Sequence, residues 1–276
     1  MEDLGISLDR TLPGSIETMM QAGLVLALSA FIVMIIVVMR RWNGRFVNVV
    51  AGIFTYSIFV YIFTVMCLSI LALFPGINEA ITYNTQTYTF LYCMFSAVGI
   101  TMARALLGKI SIGRYERKGD VYLSGIGLAL GDGIVLFGLS MVANMSYVSG
   151  INSVGLSSML EGMTEEQMIS ISTSIDMLYE APEYMWLLMG IAATLDILLA
   201  VALSSVVYAV MKGKLSNLWI CYAAIIQFFS YISFQSFDYK SQTSIIVCFV
   251  IKAAIDIIAP LLIYKLVLKE FEYVND

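Results

Sequence analysis

Apolar positions gather into seven runs, 17 to 39, 47 to 73, 89 to 108, 121 to 148, 184 to 211, 217 to 237 and 244 to 267, with polar residues between them. Each has the roughly 20 residues that a helix rising about 1.5 Å per residue needs to cross about 30 Å of hydrocarbon. The pattern predicts an all-α fold: a polytopic membrane helix bundle of about seven transmembrane helices. No internal repeat, low-complexity tract or linker divides residues 1 to 276, so the chain reads as a single transmembrane domain.

Connections are short except at 149 to 183. There Thr164, with Gln167 three residues on, has the letters of a capping box that starts a helix, and Pro182 stops that helix. Met168, Ile171, Ile175 and Leu178 recur at helical spacing opposite Glu166, Ser170, Ser174 and Asp176. Residues 165 to 180 are therefore expected to form an extracytoplasmic amphipathic helix on the outer membrane face. A lid packed on its own bundle is the simpler role, a partner-binding helix the alternative.

Charge gives the bundle a direction. Arg40, Arg41, Arg45, Lys109, Arg114, Arg117, Lys118, Lys212, Lys214, Lys265 and Lys269 fall on one set of alternate connections. The other set holds only Arg10 and Lys240 as basic residues, with Glu2, Asp3, Asp9, Glu79, Glu161, Glu165, Glu166, Asp176, Glu180, Glu183 and Asp238. The positive-inside rule then places the N-terminus outside and the C-terminus in the cytoplasm of a cell membrane, bacterial plasma membrane being the expected setting. The first run comes after acidic residues instead of a basic n-region, so it is expected to be a retained span and not a cleaved signal.

Composition agrees with a membrane class: 60% hydrophobic and 13% charged residues, with mean hydropathy +0.88. The net charge of −5 comes from the acidic connections and argues for no nucleic-acid partner. The basic connections suit anionic lipid, so membrane lipids are the expected partners, with another membrane protein or peptide as a further one. Cys67, Cys93, Cys221 and Cys248 sit inside spans without paired spacing, which favours small buried hydrophobes over a metal or redox site. No cofactor is expected. The chain has no histidine, which excludes His-dependent serine, cysteine and zinc hydrolases.

Candidate chemistry lies in the intramembrane charges. Asp132 in the fourth span, Asp196 in the fifth, and Lys252 with Asp256 in the seventh fall within a few residues of the midplane. A charge there costs roughly 2.5 to 3.5 kcal/mol on insertion scales, so the bundle must pair, neutralise or hydrate them. Lys252 and Asp256 are one turn apart and can pair on their own helix, with Asp132 or Asp196 of a neighbouring span as a further partner; without a basic partner of their own, at least one of these two aspartates is expected to be protonated at neutral pH. Gly125, Gly127, Gly131, Gly133 and Gly138 surround Asp132, and Ala192, Ala193, Ala200 and Ser204 surround Asp196, so these helices can approach closely. With Gln227 and Ser230 one turn apart in the sixth span, a cavity lined from spans four to seven is the simplest account, and polar glue that fixes helix register is the plainer alternative. Arg104 is expected to snorkel to the cytoplasmic end of its span.

Ser96-Ala97-Val98-Gly99 through Arg104, then Gly125-Ile126-Gly127 to Gly131-Asp132-Gly133, then Tyr208-Ala209-Val210 across Lys212-Gly213-Lys214 into Ala224-Ile225-Ile226-Gln227 resembles the YhfC-like intramembrane peptidases. These are relatives of the glutamate-type and Abi/CAAX-processing membrane proteases. The resemblance covers spans three to six and implies a site of glutamates, an arginine and histidines that activates water. Here Arg104 remains, but Ile100 and Thr101 stand where the glutamates belong. Asp132, Leu199 or Ala200, and Gln227 occupy the places of the histidines, with Tyr231 where an aspartate would come next. The replacements imply a member that keeps the scaffold, has no catalytic or metal-binding residue, and binds or regulates through Arg104, Asp132, Asp196, Gln227, Lys252 and Asp256.

Two other classes stay open. Ala129-Leu130-Gly131-Asp132 is similar to the Gly-Asp element of presenilin-type proteases, and two aspartates sharing a proton need no histidine, so Asp132 with Asp196 is the enzymatic alternative. Midplane charges also mark ion or proton paths, which makes an ion- or proton-coupled transporter the third. Against it stand the lack of an inverted repeat and of a Pro-interrupted span near the charges, although the glycines around Asp132 leave room for a local break. Contact between the two aspartates would favour the protease, a wet path through both faces the transporter, and a closed cavity the binder.

Overall fold

The computed structural model describes residues 11–112 and 117–268. Glu2, Asp3, Asp9, Arg10, Arg114 and Lys269, which entered the charge reading, lie outside these residues, as do the side chains of Glu165, Glu166 and Ser170. All regular structure among the described residues is helical. It runs α1 (Gly14–Trp42), α2 (Val47–Tyr56), α3 (Phe63–Leu71), α4 (Pro75–Tyr83), α5 (Thr85–Ile112), α6 (Lys118–Asp132), α7 (Leu139–Val154), α8 (Leu156–Leu160), α9 (Glu165–Glu180), α10 (Tyr184–Met211), α11 (Leu218–Gln235) and α12 (Gln242–Ile263). A π-helical segment, Ser57–Ile62, joins α2 to α3; another, Gly133–Gly138, joins α6 to α7; a third, Tyr264–Leu268, ends α12.

Seven of the resulting helices are long and apolar enough to cross a membrane: Gly14–Trp42, Val47–Leu71, Thr85–Ile110, Lys118–Val154, Tyr184–Met211, Leu218–Gln235 and Gln242–Leu268. The fourth runs past the expected end at residue 148 to Val154, and Gly155 at φ 83° then turns the chain into the short α8. The α4 helix lies in the connection between the second and third spans. Its signal is Pro75 at the first helical position, where the missing N–H costs nothing.

Short connections make successive spans alternate in direction, so the basic connections share one end of the bundle and the acidic ones the other. At the basic end, Arg117 donates to the Asn43 carbonyl at 3.4 Å. Asp120 accepts from the Arg45 backbone N–H at 2.9 Å, from its guanidinium at 2.9 Å and from Asn48 at 2.6 Å. At the acidic end, α9 begins with the capping box Thr164 and Gln167. Its apolar residues Ile175 and Leu178 are buried with Met20 of α1, Val148 and Ile151 of α7 and Trp186 of α10, so that face is spent on its own bundle. Tyr239 and Lys240, between α11 and α12, hold α9 down through Asp176, the hydroxyl donating at 2.6 Å and the ammonium pairing at 2.9 Å.

The centre is α10, which packs against α1, α5, α6, α11 and α12. Glycine sets two of the closest approaches. A Cβ on Gly23 of α1 would lie 2.8 Å from the Trp186 carbonyl of α10, and one on Gly52 of α2 would lie 2.7 Å from the Gly127 backbone of α6. Gly125 faces Ala200 and Ser204 of α10, as expected, whereas Gly127 and Gly131 face α2. The α6 glycines therefore serve two neighbours on two faces. Val25, Ile32 and Val33 of α1 and Ile257, Ile258 and Leu261 of α12 stay exposed, the outward apolar surface that hydrocarbon would cover.

Candidate functional site

Three of the four midplane charges converge, from α10 and α12, with Ser230 of α11 between them. Lys252 of α12 donates to Asp196 Oδ1 of α10 at 2.5 Å and pairs with Asp256 Oδ2, one turn along its own helix, at 2.9 Å. Ser230 of α11 accepts from Lys252 at 3.0 Å and donates to Asp256 Oδ1 at 2.8 Å. The ammonium thus has three oxygen partners, as many as it has N–H donors. Lys252 and Asp256 are 2% and 0% exposed, depths at which an unpaired charge would not be held. Of the two aspartates that could assist from a neighbouring span, Asp196 is the one that Lys252 reaches.

Asp132 stands apart from this group. It ends α6, where the π-helical segment begins, and its two oxygens accept from different tyrosines: Oδ1 from Tyr56 at 2.6 Å and Oδ2 from Tyr231 at 3.2 Å. Among the described residues no cation pairs with it. The sequence does not single out Tyr56; a polar tip inside the apolar second span is its only signal. Tyr231 stands out in the sequence by its place in the resemblance and not by its hydroxyl.

Arg104 corrects an expectation. It does not snorkel but is 3% exposed, and Nη2 donates to Gln227 Oε1 of α11 at 2.7 Å. The physical reason is length: α5 continues to Ile112, which leaves Arg104 more than two turns short of the helix end. Its Nε and Nη1 meet no acceptor among the described residues, and neither does the Ser204 hydroxyl. Donors left so in a packed interior are where buried water is expected.

A cavity of about 80 Å³ opens beside the charges. It is lined by α6 and its π-helical extension, α10, α11 and α12, including Asp132, Asp196 and Lys252 at its floor. Phe137, Met189, Phe234 and Gln235 wall it toward the acidic end. Asp256 sits behind Lys252, and neither Gln227 nor Arg104 lines the cavity. Toward the basic end the interior is filled by Leu128, Leu199 and Leu203, none more than 1% exposed. The helices beside the charges are interrupted, at Asp132 where the glycines left room for a break, and in α12 where Pro260 corrects the reading that no Pro-interrupted span lies near the charges. The π-helical segment comes directly after Asp132, and Pro260 lies inside α12 one turn after Asp256, where it removes the helical N–H that the Asp256 carbonyl would accept.

This geometry bears on the enzymatic alternative. Aspartyl chemistry needs two carboxyls that share a proton. Here Asp132 is held by tyrosine hydroxyls and Asp196 by an ammonium, and among the described residues no hydrogen bond joins the two. The chain matches no protein family model, no curated protein and no solved structure.

Proposed function

We propose that this is a multi-pass protein of the cell membrane, N-terminus outside and C-terminus in the cytoplasm, that binds a small ligand in its intramembrane cavity and hydrolyses no peptide bond. The scaffold is intramembrane-protease-like. That part is supported by the positions aligned by the resemblance, which are paired across helices by hydrogen bonds, Arg104 with Gln227 and Tyr231 with Asp132. The orientation is supported by the basic connections gathered at one end, and membrane lipids are the standing partner of the exposed apolar belt.

One observation carries the non-catalytic reading: each cavity carboxyl already has its own partner, so neither is poised to take a proton from water. The one-sided cavity, packed beneath its floor, favours a binder over a transporter with a path through both faces. The test is an assay of the purified protein in bilayers against a pool of membrane-spanning peptides, alongside Asp132→Asn and Asp196→Asn. No cleavage above background is expected from any of the three. Cleavage by the native protein that either variant abolishes would overturn this function and install the aspartyl one.

A further inference from the structure

Resting on the binding role just proposed, we infer that the occupant of the cavity is a small organic cation of the alkylammonium type. Charge is the first ground. Asp132 and Asp196 both face the cavity, while the one cation on its wall, Lys252, is matched from behind by Asp256 and Ser230. Asp196 accepts from Lys252 at Oδ1, and its side chain stays 20% exposed. Asp132 has hydroxyl partners only, which satisfy hydrogen bonds without cancelling charge. With both carboxyls ionised, as a bound cation would hold them, the floor carries more negative than positive charge. Arg104 does not redress it, since it spends Nη2 on Gln227 of the neighbouring helix and does not line the cavity.

Shape and lining choose among cations. At about 10 to 15 Å³ of such space per water-sized group, a cavity of about 80 Å³ takes roughly five to eight non-hydrogen atoms. A bare metal ion would need about six oxygen ligands. The walls here are mostly Phe137, Met189, Ala192, Ala193 and Phe234, which offer none. Aromatic faces and apolar carbon suit the methyl and methylene groups of an alkylammonium, whose charge they also attract. One face of Phe234 already meets Lys252, 5.9 Å from the ring centroid, so the Phe137 and Tyr231 rings are the ones left for the ligand.

The test is calorimetric titration of the protein in bilayer discs with tetramethylammonium, potassium, acetate and tert-butyl alcohol, the last a neutral molecule of nearly the first one's shape. Saturable binding of tetramethylammonium is expected, at least about tenfold tighter than any of the others. Asp132→Asn should weaken it about tenfold or more, and Phe137→Leu, which leaves the charges untouched, about threefold to tenfold. Tert-butyl alcohol or acetate binding as tightly as the ammonium would overturn the ligand class and leave the binding role standing. Failure of all four probes to bind the native protein would remove the ligand class, and peptide cleavage in the separate assay would remove the binding role itself. The comparison of probes uses the native protein alone, so it stands even if Asp132→Asn fails to fold.

Discussion

Asp120 is 0% exposed at the basic end, a place where a carboxylate survives only by filling its lone pairs. It does so with the backbone and guanidinium of Arg45 and the amide of Asn48, tying the connection before α2 to the first turn of α6. Asp120→Asn keeps the shape and removes the charge, and is expected to destabilise the protein by about 2 to 3 kcal/mol, below the usual cost of breaking a buried pair because Arg45 can turn to water. Denaturant titration in detergent checks this; an unfolding midpoint equal to that of the native protein would contradict it. At this scale the sequence is partly legible. Lys252 and Asp256 can be paired because one helical turn separates them, but Lys252 with Asp196 and Tyr56 with Asp132 lie 56 and 76 residues apart. Spacing within a helix says nothing about which neighbour a side chain meets across the bundle. Asp120 does leave a signal, one of two acids, with Glu116, in a basic connection.

Elements are more legible than contacts, because a span is set by the run of apolar residues alone. The seven spans and α9 can be read from hydropathy, a capping box and a stop at Pro182. The π-helical segment after Asp132 is legible only as a local break that the surrounding glycines permit, not as a π-helix. For α9 the latch to the α11–α12 connection is electrostatic and therefore dependent on pH. Burial alone would raise the Asp176 carboxyl, but hydrogen bonds from Tyr239 and Lys240 outweigh it and hold the carboxyl below its usual range. The hydrogen bond to Asp176 in turn raises the Lys240 ammonium, and burial together with that carboxylate pushes the Tyr239 hydroxyl up to about 12. A lowered carboxyl contributes stability above its unfolded value, about 3.9, that is lost as pH falls through the folded one. The raised groups contribute below their unfolded values, about 10, and lose it as pH climbs past them. Docking of α9 should therefore hold from about pH 5 to 9 and loosen under acid. Amide exchange across residues 165–180, corrected for intrinsic rate, should be slow at pH 7 and faster at pH 3, with Asp176→Ala fast at both. Equal protection at the two pH values would show that apolar packing alone keeps α9 in place.

For the whole molecule, the decisive feature is that its polar interior is divided. One group is an ammonium held among Asp196, Asp256 and Ser230; another is Asp132 between two tyrosines; a third is Arg104 with Gln227. A protease of the aspartyl kind would join the first two groups through a shared proton, whereas a binding cavity keeps them apart with the ligand between. Double-mutant cycles pivoting on Asp196, read by unfolding in a bilayer mimic, distinguish the two. Asp196→Asn should couple favourably to Lys252→Met, by about 0.5 to 3 kcal/mol as for residues in contact. Its coupling to Asp132→Asn should be smaller and unfavourable, as between two carboxylates with separate partners. A favourable coupling between Asp196 and Asp132 that exceeds the one with Lys252 would mean that the two carboxyls share a proton, and that the cavity is a catalytic site.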